Sequence, residues 1–121
     1  NPVNLIIRLP SVFGFGQVQD KLIPRLFKFF YWGSRCEIYN DDIREYVHVN
    51  DVVLEIWKNR EKKGIIEIVG FQINNLRLKE LVGAIYENKK ILFKNDTEAV
   101  FFEKLNSCKN QYAKKESILR S

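Results

Sequence analysis

The chain has 121 residues, 45% of them hydrophobic and 29% charged, which is one domain's worth with enough apolar side chain to pack a core. Lys+Arg number 20 against 15 Asp+Glu, a formal net charge of +5 spread along the chain without a basic tail or block, so charge alone does not single out nucleic acid. One His and two distant cysteines exclude a His/Cys metal set, and no apolar run approaches the ~20 residues of a membrane span.

Val3–Leu9 is a nearly continuous apolar run that predicts a strand buried on both faces, as in a parallel sheet. Pro10 stops it, and Ser11–Gly16 reads as a glycine-containing loop leaving the strand's carboxyl end, where ligands bind in open α/β sheets. Lys21–Trp32 has helical periodicity, with Leu22, Ile23, Leu26, Phe27 and Phe30 on one face and Lys21, Arg25 and Lys28 in a basic stripe. Pro24 fits only the first turn, and Gly33 ends the helix. Cys36–Tyr39 and Tyr46–Val49 read as short strands around a polar turn, Asn40-Asp41-Asp42. Asn50 or Asp51 is expected to cap a helix from Val52 to Arg60. Ile65–Val69 predicts a second strand of the buried type. Asn74 or Asn75 caps a helix whose apolar face is Leu78, Leu81, Val82 and Ile85. Ile91–Phe93 suggests a last short strand, Thr97 caps a helix through Leu105, and residues 106–121 read as a frayed polar tail.

The order of elements is α/β, with two parallel-type buried strands, short strands and about four helices. Two such strands make a poor sheet by themselves. With no Met and Asn1-Pro2 at its start, the chain reads as a piece of a longer protein whose remaining strands lie upstream. Cys36 and Cys108 read as reduced thiols of a cytoplasmic protein.

The pattern resembles the extended short-chain dehydrogenase/reductase family in its NAD-dependent epimerase/dehydratase branch. The family's strand ending Arg-x-x-Asn-Val-Tyr-Gly-Pro is similar to Arg8-Leu-Pro-Ser11-Val-Phe-Gly14, and its helix opening near Leu-Ile-Pro is matched by Leu22-Ile23-Pro24. Its Ile-Tyr-Gly strand is similar to Ile38-Tyr39-Asn40. Its Arg-Asp-Phe/Tyr-x-x-Val-x-Asp segment is similar to Arg44-Glu45-Tyr46-Val47-His48-Val49-Asn50-Asp51. Its Tyr-Asn-Ile-Gly strand is similar to Ile66-Glu67-Ile68-Val69-Gly70. The sequence departs at Ser11, where the family has Asn, at Glu45 for Asp and at Glu67 for Asn, and its turn between Tyr39 and Arg44 is shorter. Lys94-Asn95-Asp96 is a degenerate echo of the family's Arg-Pro-Gly-Asp.

The resemblance implies a Rossmann-type parent. Residues 1–14 would be its last-but-one strand and loop, and residues 15–105 its substrate-binding region. It implies NAD or NADP held mainly by an N-terminal half, with Pro10 and Ser11 touching the cofactor end. It implies a nucleotide-sugar partner, the N-terminal half of the parent chain as a second partner, and the possibility of a homo-oligomer. The Gly-x-x-Gly-x-x-Gly phosphate loop is absent, and Tyr86-x-x-x-Lys90 falls outside the place of the family's catalytic pair, so no catalytic residue is assigned. Arg44 stands at the family's phosphate-contacting position; the alternative for it is a surface ion pair with Asp41 or Asp42. Lys21 at a helix start and Lys94 are further anion candidates. Leu22, Ile38 and Tyr39 would line the ligand, against ordinary core packing, and Ser11 would bond the substrate or the nicotinamide end. Arg8 in a buried strand would need an ion partner. His48 reads as a packed, satisfied histidine. The competing function is a small basic binding module for RNA or protein, carried by the Lys21/Arg25/Lys28 stripe and the aromatic content.

Overall fold

The computed structural model describes residues 5–14, 21–38 and 40–113. The first expected strand occupies Leu5–Arg8 (β1) and pairs in parallel with Gly64–Glu67 (β4), Leu5 opposite Gly64 and Arg8 opposite Glu67. Neither strand is buried on both faces, contrary to expectation. Ile6 is 53% exposed and Ile65 56%. Among the described residues this sheet has only these two strands, so one face stays bare. Arg8 is exposed as well and needs no buried partner. The covered face packs Ile7 against Val12, Val47, Val52 and Ile68.

A second sheet positions the site. Ser11–Phe13 (β2), expected as loop, pairs in parallel with Ile43–His48 (β3), which pairs antiparallel with Phe71–Asn74 (β5). β3 starts earlier than the predicted Tyr46 and stops at His48, because Val49 already opens a helix. β5 was hidden by its brevity; only Phe71 and Ile73 alternate inward. No strand forms over Cys36–Ile38 or Ile91–Phe93. Cys36, Ile38, Ile91 and Phe93 pack on the core from loops instead, which short apolar runs cannot reveal beforehand. Tyr39 lies outside the described residues.

The register sets two chemically distinct faces. Ser11 lies opposite Tyr46, Phe13 opposite His48 and Tyr46 opposite Phe71, so these side chains share one face. That face meets three helices: Leu22–Trp32 (α1), Asn75–Glu87 (α3) and Asp96–Ser107 (α4). Phe13, Tyr46 and Ile73 join Leu26, Phe27, Leu78, Leu81 and Phe101 in the main core. Val12 and Val47 point the other way, toward Val52 of the remaining long helix, Val49–Lys58 (α2). The helix faces predicted for α1 and α3 are the buried ones. Pro24 sits in the first turn of α1, and Gly33 closes it at φ +70°.

The caps differ from expectation. His48, not Asn50 or Asp51, caps α2, its Nδ1 accepting the Asn50 N–H at 3.1 Å. Asn95 rather than Thr97 caps α4, accepting the Glu98 N–H at 2.9 Å. The Asn74 side chain makes no capping bond to α3; Asp41 accepts the Leu76 N–H there at 2.8 Å. Residues 106–113 are not a frayed tail. α4 continues to Ser107, Lys109–Tyr112 forms a short helix (α5), and Tyr112 is buried at 2% exposure. Residues 114–121 lie outside the described residues.

Gly70 is where β4's exit crosses β3. A Cβ there would lie 2.4 Å from the Tyr46 carbonyl oxygen and 3.0 Å from Pro10 Cγ, while the Gly70 N–H donates to Glu45 Oε2 at 2.6 Å. Backbone cannot yield as a side-chain tip does. Gly70→Ala should therefore destabilise the fold by about 2 kcal/mol or more, the scale of overpacking, read from urea midpoints; an unchanged midpoint would mean the two segments are not held this closely.

Candidate functional site

A cavity of about 200 Å³ opens where β2 and β3 meet the start of α1. Its walls are Ser11 and Phe13 from β2, Lys21 to Pro24 from the α1 start, Arg44 and Tyr46 from β3, and Tyr112 from α5. Four residues singled out in the sequence come together here: Ser11, Lys21, Leu22 and Arg44. The sheet explains why. Ser11 is the register partner of Tyr46, and Arg44 precedes Tyr46 by two on the same strand, so all three point to one side.

Among the described residues the cavity is electrostatically one-sided, with no carboxylate in its walls. Lys21 is the N-cap residue of α1, which has no side-chain cap and no acidic residue in its first turn. Among the described residues no side chain caps that helix end, whose N–H groups and dipole favour negative charge. Neither Lys21 nor Arg44 has an ion pair among the described residues. The expected alternative for Arg44, a pair with Asp41 or Asp42, does not form. Asp41 accepts from Leu76 N–H through Oδ1 and from Asn74 Nδ2 through Oδ2, each at 2.8 Å. Those bonds hold its carboxyl below the usual range. Glu45, next in sequence to Arg44, is engaged by Gly70 instead.

Tyr46 contributes a buried hydroxyl without a hydrogen-bond partner among the described residues. Burial pushes its pKa up, and the Arg44 charge acts in the opposite direction. Tyr112 closes another wall, its hydroxyl accepting the Gly14 N–H at 2.6 Å. Sequence reasoning passed over both tyrosines. Tyr46 carried a signal in the Arg44-Glu45-Tyr46 segment; Tyr112 is 98 residues from Gly14 and carried none.

The other expected residues lie elsewhere. Pro10 approaches Gly70 and does not line the cavity. Ile38 packs half-buried against the main core. Tyr39 lies outside the described residues. Lys94 borders a separate depression with Asp41, Asn74 and Arg77, where its charge acts on both Asp41 and Glu98. The Lys94 backbone N–H is fixed by Glu98, which Arg77 grips at 2.7 and 3.0 Å. This nearly buried pair ties α3 to α4 and lowers the pKa of Glu98. Tyr86 stacks on Phe30 and meets the edge of Tyr31, a packing role.

A larger cleft of about 560 Å³ lies beyond Phe13, bordered by His48, Asp51, Thr97 and Lys104. Its lining carries Asp51, Glu55 and Glu67 against Lys58 and Lys104, and Lys104 meets Asp51 at 2.5 Å, so Asp51 ties α2 to α4 rather than capping. No group of His, Cys, Asp and Glu among the described residues is arranged to hold a metal ion. No described helix is long and apolar enough to cross a membrane.

His48 is satisfied, as expected, though as a cap. Its Nδ1 must stay unprotonated to accept from Asn50, and burial lowers its pKa, with Lys104 acting in the same direction and Asp51 against it. The folded value thus lies below the unfolded one near 6.5. Below that pH the unfolded chain binds the extra proton more readily, so this contribution is complete above about pH 6.5 and is lost as pH falls through the folded pKa. Losing the cap costs about 1 kcal/mol. Urea midpoints at pH 7.5 and 5.5 should differ accordingly. His48→Asn, which keeps an accepting cap without a titrating ring, should remove that part of the difference; an equal pH response in both proteins would exclude His48 as its source.

The structure defines an α/β body of Rossmann type, with two parallel strand pairs and one antiparallel, and a cavity that brings Lys21 and Arg44 together. The chain belongs to the extended short-chain dehydrogenase/reductase family, matching a part of its members. Over 86 residues it is 34% identical to a dTDP-glucose 4,6-dehydratase of Streptomyces griseus, an alignment covering 68% of this chain and 26% of that protein. It superposes on a UDP-N-acetylglucosamine 4-epimerase from Bacillus cereus with a TM-score of 0.62 at 16% identity, over 90% of this chain and 44% of the epimerase. A UDP-glucose 4-epimerase from Thermotoga maritima, solved with UDP-glucose, matches with a TM-score of 0.58 at 21% identity, over 72% and 31%. The chain thus spans about a quarter of the dehydratase's length and under half of either epimerase. No family model matches the sequence.

Proposed function

We propose that the cavity holds the diphosphate of a nucleotide sugar, and that the chain is the substrate-binding part of an NAD- or NADP-dependent epimerase or dehydratase. The observation that carries this is the convergence of Lys21 and Arg44 at the N-terminus of α1, where neither has a carboxylate partner and no side chain caps the helix among the described residues. A guanidinium grips two phosphate oxygens at once, an ammonium supplies a point charge, and the helix end adds backbone donors. Ser11 adds a hydroxyl. The cavity is smaller than the roughly 300–1,000 Å³ typical of pockets that enclose a drug-sized ligand, so it takes the diphosphate and leaves base and sugar to neighbouring surfaces.

The described residues of this chain offer no site that fits a dinucleotide cofactor. The N–H of Gly14, the first glycine after β2, is already donated to Tyr112, and no described glycine-rich turn leads from a strand into a helix in the phosphate-loop manner. The cofactor, and the hydride chemistry it supplies, belong in our proposal to residues of an N-terminal half. That half would also cover the bare face bearing Ile6 and Ile65. The chain by itself is inert. Free cysteines accord with a cytoplasmic location. The basic-module alternative finds no stacking platform within its Lys21–Lys28 stripe, where Phe27 is fully buried.

Titration with uridine 5′-diphosphate tests the proposal. Binding should weaken by about 1.5–3 kcal/mol in Arg44→Ala, the scale of a lost charged hydrogen-bond partner, and stay unchanged in Lys94→Ala. NAD should not bind at micromolar concentration. An unaltered UDP affinity in Arg44→Ala, or micromolar NAD binding, would overturn the assignment.

A further inference from the structure

The cavity has a wall that comes from the far end of the described chain. Tyr112 is 2% exposed, its ring meets Phe27 at 5.8 Å between centroids, and its side chain lines the cavity beside Lys21, Leu22 and Arg44. Its hydroxyl accepts the N–H of Gly14, the residue directly after β2. Gly14 has φ +106°, and a Cβ there would come within 2.9 Å of Val49 Cγ1 and 3.1 Å of His48 Nε2. Its backbone is therefore held in a conformation open chiefly to glycine, with the N–H directed at Tyr112. One residue beyond Tyr112, the carbonyl of Ala113 accepts from the Trp32 indole at the end of α1. The short helix α5 is thus tied at adjacent residues to both elements that frame the cavity, β2 and α1.

We infer that Tyr112 is a positioning residue of the ligand site: its hydroxyl fixes the β2 exit at Gly14, which sets where Ser11 stands relative to Lys21 and Arg44, while its ring completes the wall. This rests on the proposal that the cavity binds a nucleoside diphosphate. Tyr112 needs no contact with the ligand; it acts through the strand end it holds. A merely structural tyrosine would change the melting temperature and leave the affinity of the folded protein alone. A positioning tyrosine changes the affinity.

The experiment is an NMR titration with uridine 5′-diphosphate of the unaltered chain, Tyr112→Phe, Arg44→Ala, Ser11→Ala and the Ser11→Ala/Tyr112→Phe double variant, below the unfolding transition of each. Tyr112→Phe keeps the ring and removes the hydroxyl that accepts from Gly14, so displacement of the β2 exit should raise Kd about tenfold. In that background Ser11→Ala should cost less than it does alone, because both act on one strand end. An unchanged Kd in Tyr112→Phe, with Arg44→Ala still impaired, would overturn this inference and leave the binding proposal standing. Full additivity of the two substitutions would also overturn it. Failure of the unaltered chain to bind UDP would overturn both.

Discussion

Asp41 accepts hydrogen bonds from the first turn of α3, and much of the site's character follows from that commitment. Its two oxygens meet the Leu76 N–H and the Asn74 amide. Asn75 adds two bonds to the same turn, its N–H donating to the Asp42 carbonyl at 3.0 Å and its side chain to the Asn40 carbonyl at 3.2 Å. The polar turn is thereby docked on a helix end that needs acceptors. β3 begins immediately afterwards, and its second residue, Arg44, lines the cavity with no ion pair among the described residues. Had Asp41 remained free, the simplest outcome would have been a surface ion pair contributing little to stability and closing the site.

β3 lies between the two packing layers. Tyr46 belongs to the helical core of α1, α3 and α4, while Val47 belongs to the smaller cluster under α2. A strand gripped on both faces is a stiff mount for a ligand contact. The tie from Glu45 to Gly70 and the close passage of Gly70 over the Tyr46 carbonyl hold it from a third direction. α1 needs less support, because Ile23, Leu26 and Phe27 are almost fully buried and fix its uncapped end in place. On the opposite side, the Arg77–Glu98 pair and the Asp51–Lys104 pair join α4 to α3 and to α2. They hold the body together and take no part in the cavity.

The long periodic segments were legible in the sequence. The apolar faces of α1 and α3, Pro24 in a first turn and Gly33 as a terminator need only helix geometry. The resemblance points to Arg44, Leu22 and Ser11, and the helix start to Lys21; the fold brings all four to one cavity. Three features were not legible, for different physical reasons. β5 has only four residues, too few for alternation to stand out from a turn. The caps moved because a side chain nearby in space, Asp41, or a different neighbour, His48, met the helix donors better than the residue with the highest propensity. Tyr112 was dismissed with a polar tail because its burial depends on contacts with Gly14 and Phe27, far away in sequence. The strands expected to be buried on both faces show the limit of reading β1 and β4 from composition: a continuous apolar run reports what a strand is suited to meet, and one face of this pair meets nothing in the described chain.

The central claim is that Arg44, with Lys21, is the anion contact. Arginine side-chain NMR during a titration with uridine 5′-diphosphate tests it most directly, because each Nε–H group reports on its own surroundings. The account predicts a saturable shift of the Arg44 Nε–H resonance with Arg77, already engaged by Glu98, left in place. A saturable shift of Arg77 with Arg44 unmoved would contradict it, placing the anion in the depression beside Lys94 and away from the cavity between β2, β3 and α1.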